Sequence, residues 1–205
     1  IPSGGVKITY TSGTTGTAKG VCLSGEQLDR RVLALAERVG ELGVTHHLCT
    51  LPLAVLLENL AGLYLPLSLG KQVSLLPLAE LGISSLQQPE PARFIAALAA
   101  SGADSAILLP ATLGWLVAGV QQGQLLAQQW RLLALGGGKS SLGLLAQAEE
   151  LGLPLFEGYG LSEVGSVVAL NGAKARRRGS VGKPLSHVQV RLAKDGEVLI
   201  RGNAM

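Results

Sequence analysis

Between two apolar runs, Val6–Tyr10 and Val21–Leu23, the chain places Thr11-Ser12-Gly13-Thr14-Thr15-Gly16-Thr17-Ala18-Lys19-Gly20, with five hydroxyls, three glycines and one lysine. Glycines let successive backbone N–H groups turn toward one point, and such nests bind anions. The hydroxyls add donors for phosphate oxygens, and Lys19 adds a mobile positive charge. Together they suit the polyphosphate of a nucleotide. Further on, Leu155-Phe156-Glu157-Gly158-Tyr159-Gly160-Leu161-Ser162-Glu163 sets a tyrosine between two glycines, where its ring can lie against a purine without neighbouring side chains in the way. Ser162 offers a hydroxyl to a phosphate or carboxylate oxygen, and Glu163 offers the hard oxygen that Mg²⁺ prefers. A third glycine-rich stretch, Gly136-Gly137-Gly138-Lys139-Ser140, imitates the end of a nucleotide-binding P-loop. That pattern needs glycine at position 133, where Leu133 stands, and Lys19 lies between Ala18 and Gly20, so neither string is a P-loop.

The elements that must position these groups read as an α/β fold, a mostly parallel sheet flanked by helices, because short β-rich runs alternate with helical patterns. Ser24 with Gln27 forms a capping box, and Leu28, Val32, Leu35, Val39 and Leu42 recur on one helical face. Strands are expected around residues 48–51, 72–76, 105–109, 131–135 and 153–156. Helices are expected over 56–69, from the Pro89/Pro91 turn to Ser101-Gly102, from Pro110 to Gln121, and over 142–151. The last stretch changes character. Val188–Leu192 alternates, Asp195-Gly196 supplies a hairpin turn, and Val198–Ile200 returns, which starts a smaller antiparallel β subdomain. The division expected is residues 1–170 for a partial α/β nucleotide-binding subdomain and 171–205 for the β-hairpin region.

Composition narrows the function classes. With 205 residues, 47% hydrophobic and 15% charged, the chain is long and apolar enough to bury a large core. A net charge of +3 and 3% aromatics give no footprint for nucleic acid. No apolar run spans a membrane, since Pro52, Glu58, Asn59 and Pro66 interrupt residues 51–69. Cys22 and Cys49 have no metal-ligand spacing and read as small buried hydrophobes in a reduced, cytoplasmic protein. His46 and His47 are adjacent, so a strand sends them to opposite faces, which opposes a shared ligand sphere. Glu58 reads as exposed or helix-capping, and Arg176-Arg177-Arg178 as a solvated loop. The only methionine is Met205 and the chain opens on Ile1-Pro2, as expected of a piece of a longer protein.

The segment from Tyr10 to Gly20 closely resembles the phosphate-binding signature of the adenylate-forming (AMP-binding) superfamily, with Ala18 where proline is usual. The segment around Tyr159 resembles its Tyr-Gly-x-Thr-Glu motif, with Ser162 for threonine. Gly179-Ser180-Val181-Gly182-Lys183-Pro184-Leu185 and Asp195-Gly196-Glu197-Val198-Leu199-Ile200-Arg201-Gly202 resemble the motifs that close the large domain. The resemblance implies that a carboxylate attacks the α-phosphate of ATP, pyrophosphate leaves, and coenzyme A takes the acyl group as a thioester. Positioning and charge neutralisation dominate such a reaction. It further implies that Thr11, Ser12, Gly13, Thr14, Thr15, Gly16 and Lys19 hold the β- and γ-phosphates. Gly136, Gly137 and Gly138 border adenine, Tyr159 stacks on it, and Glu157, Gly158 and Gly160 complete the nucleotide set. Ser162 touches the α-phosphate and Glu163 holds Mg²⁺, which makes Lys19, Ser162 and Glu163 the catalytic trio.

The motifs look most like those of a fatty acyl-CoA synthetase acting on a small-molecule carboxylic acid. Amino-acid-activating relatives place an aspartate within residues 51–59, and this chain has none; Ala54-Val55 replace an aromatic and a histidine common in synthetases. An apolar lining of Leu, Val and Ala suits an acyl chain at about 0.8 kcal/mol per buried CH₂. Adenylation of an aryl or amino acid and a catalytically inactive nucleotide-binding relative remain the alternatives. The family's ribose-binding aspartate, hinge and C-terminal domain with its catalytic lysine lie beyond the chain, so the isolated piece is expected to bind ATP weakly and to turn over little.

Overall fold

The computed structural model describes residues 4–11, 19–83 and 88–202. It opens with an antiparallel hairpin, β1 (Gly5–Thr11) and β2 (Lys19–Ser24), in which Thr11 pairs with Lys19 at the end where the two strands are connected. Ser24 then caps α1 (Gly25–Val39): its hydroxyl accepts the Gln27 N–H at 3.2 Å while the Gln27 side-chain oxygen accepts the Ser24 N–H at 2.8 Å. The expected capping box is present, and Leu28, Val32, Leu35 and Val39 are buried along one face.

A seven-stranded sheet follows, assembled in the order β4-β3-β5-β6-β7-β8-β9. Its strands are β3 (His46–Cys49), β4 (Gln72–Leu75), β5 (Ser105–Leu108), β6 (Leu132–Leu135), β7 (Leu155–Leu161), β8 (Ser166–Leu170) and β9 (Lys183–Pro184). The neighbours from β4 to β7 pair in parallel, and β8 and β9 add antiparallel. Between β3 and β4 the chain is helical, as expected, but a π-helical stretch (Glu58–Tyr64) runs into the short α2 (Leu65–Ser68). Helices α3 (Pro91–Ser101), α4 (Pro110–Gln121) and α5 (Leu142–Glu150) make the later crossovers. Each of α3 and α4 begins at a proline, whose missing N–H costs nothing in the first turn. A separate hairpin, β10 (Val188–Leu192) and β11 (Val198–Gly202), turns through Asp195-Gly196.

Both faces of the parallel sheet are covered, and successive residues of one strand serve opposite layers. In β6, Leu133 and Leu135 enter the core under α3, α4 and α5 with Phe94, Leu98, Leu113 and Leu145. Leu132 enters the core under α1 and the π-helical stretch with Leu35, Leu60 and Phe156. Two-sided burial explains why the central strands β5 and β6 read as nearly continuous apolar runs rather than alternating ones. Phe94 and Trp115 meet edge to face at 5.5 Å between centroids, locking α3 to α4.

Cys22 departs from expectation. It is exposed, because the β1–β2 hairpin stands outside the large sheet with Val6, Ile8 and Tyr10 also exposed. Arg176 to Arg178 are exposed as expected, yet Arg176 lies over the Phe156 ring at 5.5 Å and Arg178 pairs with Glu149 at 3.2 Å. Leu133 is fully buried between layers. Its truncation to alanine is expected to cost about 2–5 kcal/mol, read as a lower urea midpoint with an unchanged slope.

Candidate functional site

Strand order reverses between β3 and β5: from β3 the chain goes outward to β4, then returns to the other side. At such a reversal the connections leave on opposite faces of the sheet, and the carboxyl ends of the strands border a crevice. A cavity of about 210 Å³ lies there, walled by Leu51 after β3, Leu109 after β5, and Leu56, Leu57 and Ala61 of the helical crossover. Among the described residues, no charged side chain lines it. A second cavity, about 690 Å³, lies beside it and is bordered by Gly138, Lys139, Ser140, Glu157, Gly179 and Val181. Gly137 and the Gly158-Tyr159-Gly160 strand segment border both cavities.

The glycines in this partition are dictated by packing. Gly137 has φ +75° and turns the chain sharply off β6; a Cβ there would sit 2.6 Å from the Leu109 side chain. Gly160 faces β8 across a register shift, where a Cβ would fall 2.0 Å from the Ser166 carbonyl oxygen. The sequence suggests glycines flanking Tyr159 to admit a ligand, and the backbone of β8 supplies an additional reason for Gly160. Position 158–160 is strand rather than the turn after one: β7 continues through the motif by changing partner from β6 to β8. Tyr159 is 40% exposed at the partition, and its ring is therefore open to a ligand.

After β7, a 3₁₀ turn (Ser162–Val164) presents Ser162 half-buried and Glu163 exposed, while Val164 is buried. Strand β1 packs beside this turn, which brings the first hairpin to the same end of the sheet. Thr11 and Lys19 stand at the end of that hairpin where its strands are connected; Ser12, Gly13, Thr14, Thr15 and Gly16 lie outside the described residues. Lys7 of β1 donates to the Asn59 side-chain oxygen at 2.7 Å, tying the hairpin to the helical wall of the apolar cavity.

Glu157 works as a tether. Its carboxylate accepts the Gly179 N–H at 2.7 Å, and Asn171 donates to the Ser180 carbonyl at 2.7 Å while accepting from the Arg177 N–H at 3.2 Å. These bonds hold the loop that borders the larger cavity. Burial raises the Glu157 pKa, the Gly179 N–H opposes that rise, and Glu149 adds to it.

Glu58 is neither exposed nor a helix cap, contrary to the expectation from sequence. It is fully buried and accepts from the N–H groups of Thr50 at 3.2 Å and Leu51 at 2.8 Å. His47 Nε2 lies 3.1 Å from the other oxygen, and His47 Nδ1 bonds the Ser105 hydroxyl at 2.9 Å. His46 points the other way, to Ser74 at 2.7 Å, as strand alternation requires. Cys49 joins His47 and Glu58 with ligand-type atoms within 4.8 Å of one another. Burial, then the Glu58 charge and hydrogen bond, push the thiol up to about 12, so Cys49 keeps its proton and donates to the Gly62 carbonyl. The group is a satisfied hydrogen-bond network, and a Cβ on Gly62 would collide with Glu58 at 1.9 Å.

Residues that motif reading missed lie behind these surfaces. Arg31 and Asn171 are buried polar groups holding the site's backbone, and only Arg31 left a trace: a charge on the apolar face of α1. Near Arg31, His187 has neither ring nitrogen bonded among the described residues, and burial together with the Arg31 charge lowers its pKa to about 4. The unfolded chain therefore takes up this proton first, and stability falls as pH drops from 6.5 toward about 4. A His187→Phe variant is expected to gain on the wild type over that window; an unchanging gap in urea midpoint would show that another group responds.

Known proteins of similar sequence and fold can be set beside this geometry. A 2-succinylbenzoate–CoA ligase from Enterococcus faecalis is 30% identical over 95% of the chain, which spans 40% of that protein. A long-chain-fatty-acid–CoA ligase from Mycobacterium bovis is 44% identical over 26% of the chain and 9% of that protein. O-succinylbenzoate coenzyme A synthetase from Bacillus subtilis, solved with ATP and magnesium, has the same fold with a TM-score of 0.74 at 24% identity, over 95% of this chain and 40% of its own. The anthranilate CoA ligase AuaEII with anthranoyl-AMP gives 0.78 at 17% identity, over 96% of this chain and 39% of its own. The family model for AMP-binding enzymes matches residues 5–205, and the chain belongs to that family.

Proposed function

We propose that the protein containing this chain is an ATP-dependent CoA ligase that activates an apolar carboxylic acid as its adenylate. The observation that carries this reading is the pair of adjoining cavities, one apolar and one bordered by Lys139, Ser140 and Glu157, divided by Gly137 and Tyr159 at the reversal of the sheet. ATP would lie on the Lys139 and Glu157 side with adenine against Tyr159 and the Gly136–Gly138 turn. Thr11, Lys19 and the intervening loop would take the β- and γ-phosphates. The acid would enter the apolar side with its carboxylate toward Ser162. One carboxylate oxygen attacks the α-phosphorus, the bond to the bridging oxygen breaks, and pyrophosphate leaves with that electron pair. The CoA thiolate then attacks the acyl carbon and AMP departs. Glu163 is exposed and carries the oxygen donors that Mg²⁺ takes; the ion would supply charge neutralisation for the phosphates.

The apolar cavity supports a fatty acid, since its described lining residues carry no charge for a substrate ammonium or a second carboxylate. Glu58 is no counter-ion for an amino acid, because its oxygens are committed to Thr50, Leu51 and His47. An aryl acid is the second reading. It is favoured by the succinylbenzoate ligase whose similarity runs over 95% of the chain. ATP–pyrophosphate exchange by the full-length protein, against fatty, aryl and amino acids, decides among them. Exchange driven by one class names the substrate; none from a folded protein that binds ATP would indicate an inactive relative. Glu163→Gln is expected to lower exchange about 100-fold or more with little change in stability. Tyr159→Ala is expected to raise the KM for ATP by roughly tenfold, the loss of about 1–3 kcal/mol of stacking.

A further inference from the structure

We propose that Arg31 is a positioning residue for adenylation, holding the Ser162–Glu163 turn from beneath; this rests on the function proposed above. Arg31 lies on α1, the helix that leaves the Thr11–Lys19 hairpin, and it is only 5% exposed. Its Nε and Nη2 both donate to the Val164 carbonyl, at 2.9 and 2.7 Å, and its Nη1 donates to the Gln27 carbonyl of its own helix at 2.7 Å. No carboxylate pairs with it among the described residues. A buried cation held by carbonyls alone is costly, and an apolar residue of similar length would pack at lower cost. The stability forgone fixes one carbonyl, that of the residue directly after Glu163.

The fit is tight enough to dictate sequence. Gly165 closes the turn at φ +77°, and a Cβ there would lie 1.9 Å from Arg31 Nε. The Val164 side chain is anchored in a separate apolar cluster with Val168 and Val188. The turn is therefore held at its carbonyl by α1 and at its side chain by that cluster, with Ser162 half-buried at the apolar cavity and Glu163 exposed. Because α1 is capped by Ser24 at the end of the hairpin, the same helix sets the phosphate-loop hairpin and the Ser162–Glu163 turn relative to each other. Lysine would keep the charge but lacks the planar fork that reaches one oxygen through two nitrogens.

The test is ATP–pyrophosphate exchange by full-length Arg31→Met and Arg31→Lys variants, with Mg²⁺ and ATP varied separately from the acid, and urea midpoints recorded alongside. Arg31→Met is expected to lose about 10- to 100-fold in kcat with weaker half-saturation by Mg·ATP, while the KM for the acid changes by less than about twofold. Arg31→Lys is expected to restore part of the loss. Equal kcat and Mg·ATP half-saturation in a folded variant overturns the proposal, as does a loss that only follows the folded fraction. Should Arg31→Met fail to fold, Arg31→Lys decides by the same criteria. A wild type that binds Mg·ATP but exchanges with no acid refutes the ligase reading, and Mg·ATP affinity of the variants then tests Arg31; a wild type that does neither refutes both.

Discussion

A parallel sheet has to be covered on both faces, and in this chain the cover changes sides where β3 gives way to β5. Crossovers α3, α4 and α5 take one face, while α1 and the Glu58–Tyr64 stretch take the other. Strand ends at that reversal cannot be closed by a single connection, so a crevice opens above Leu51, Leu109 and Gly136. Everything attributed to the site depends on this geometry. The change of partner in β7, from parallel β6 to antiparallel β8, then divides the crevice with Tyr159 and separates the chamber bordered by Lys139 and Glu157 from the apolar one.

Dividing the crevice requires polar groups to be buried beneath it. Glu58 holds the start of the Leu51 segment through two backbone N–H groups and is balanced by His47. Asp104 does similar work lower in the sheet, accepting from the N–H groups of Thr45 and His46 and from the Thr45 hydroxyl. Arg31 and Asn171 hold a turn and a loop at the rim. Each of these groups would be expensive to bury without its partners. Each is hydrogen-bonded to backbone outside its own turn, which fixes the position of that backbone. Lys7 adds a side-chain link, from the first hairpin to Asn59.

Local chemistry was legible wherever it is settled within a few residues. Ser24 and Gln27 meet because three residues of helix bring them together, and the α1 stripe from Leu28 to Val39 follows from helical periodicity. Prolines announced α3 and α4, and Asp195-Gly196 announced the last hairpin. The motif strings around Lys19 and Tyr159 were readable because residue type and spacing carry their chemistry. By contrast, Cys22, Glu58 and the role of Gly160 were misread or half read. Their environments come from β1's uncovered face, from His47 eleven residues away, and from Ser166 on an antiparallel neighbour.

By itself the sequence determined the fold class, most of the helices and parallel strands, and the motif strings that carry the family likeness, since periodicity, caps and motifs act over short spans. Tertiary structure alone decided which residues share a cavity, that the described lining of the apolar chamber carries no charge, and that Arg31 grips Val164 across 133 positions of chain. The physical reason is that burial and hydrogen bonding depend on what packs against a side chain. No local rule specifies a partner that sheet topology delivers from the far end of the chain.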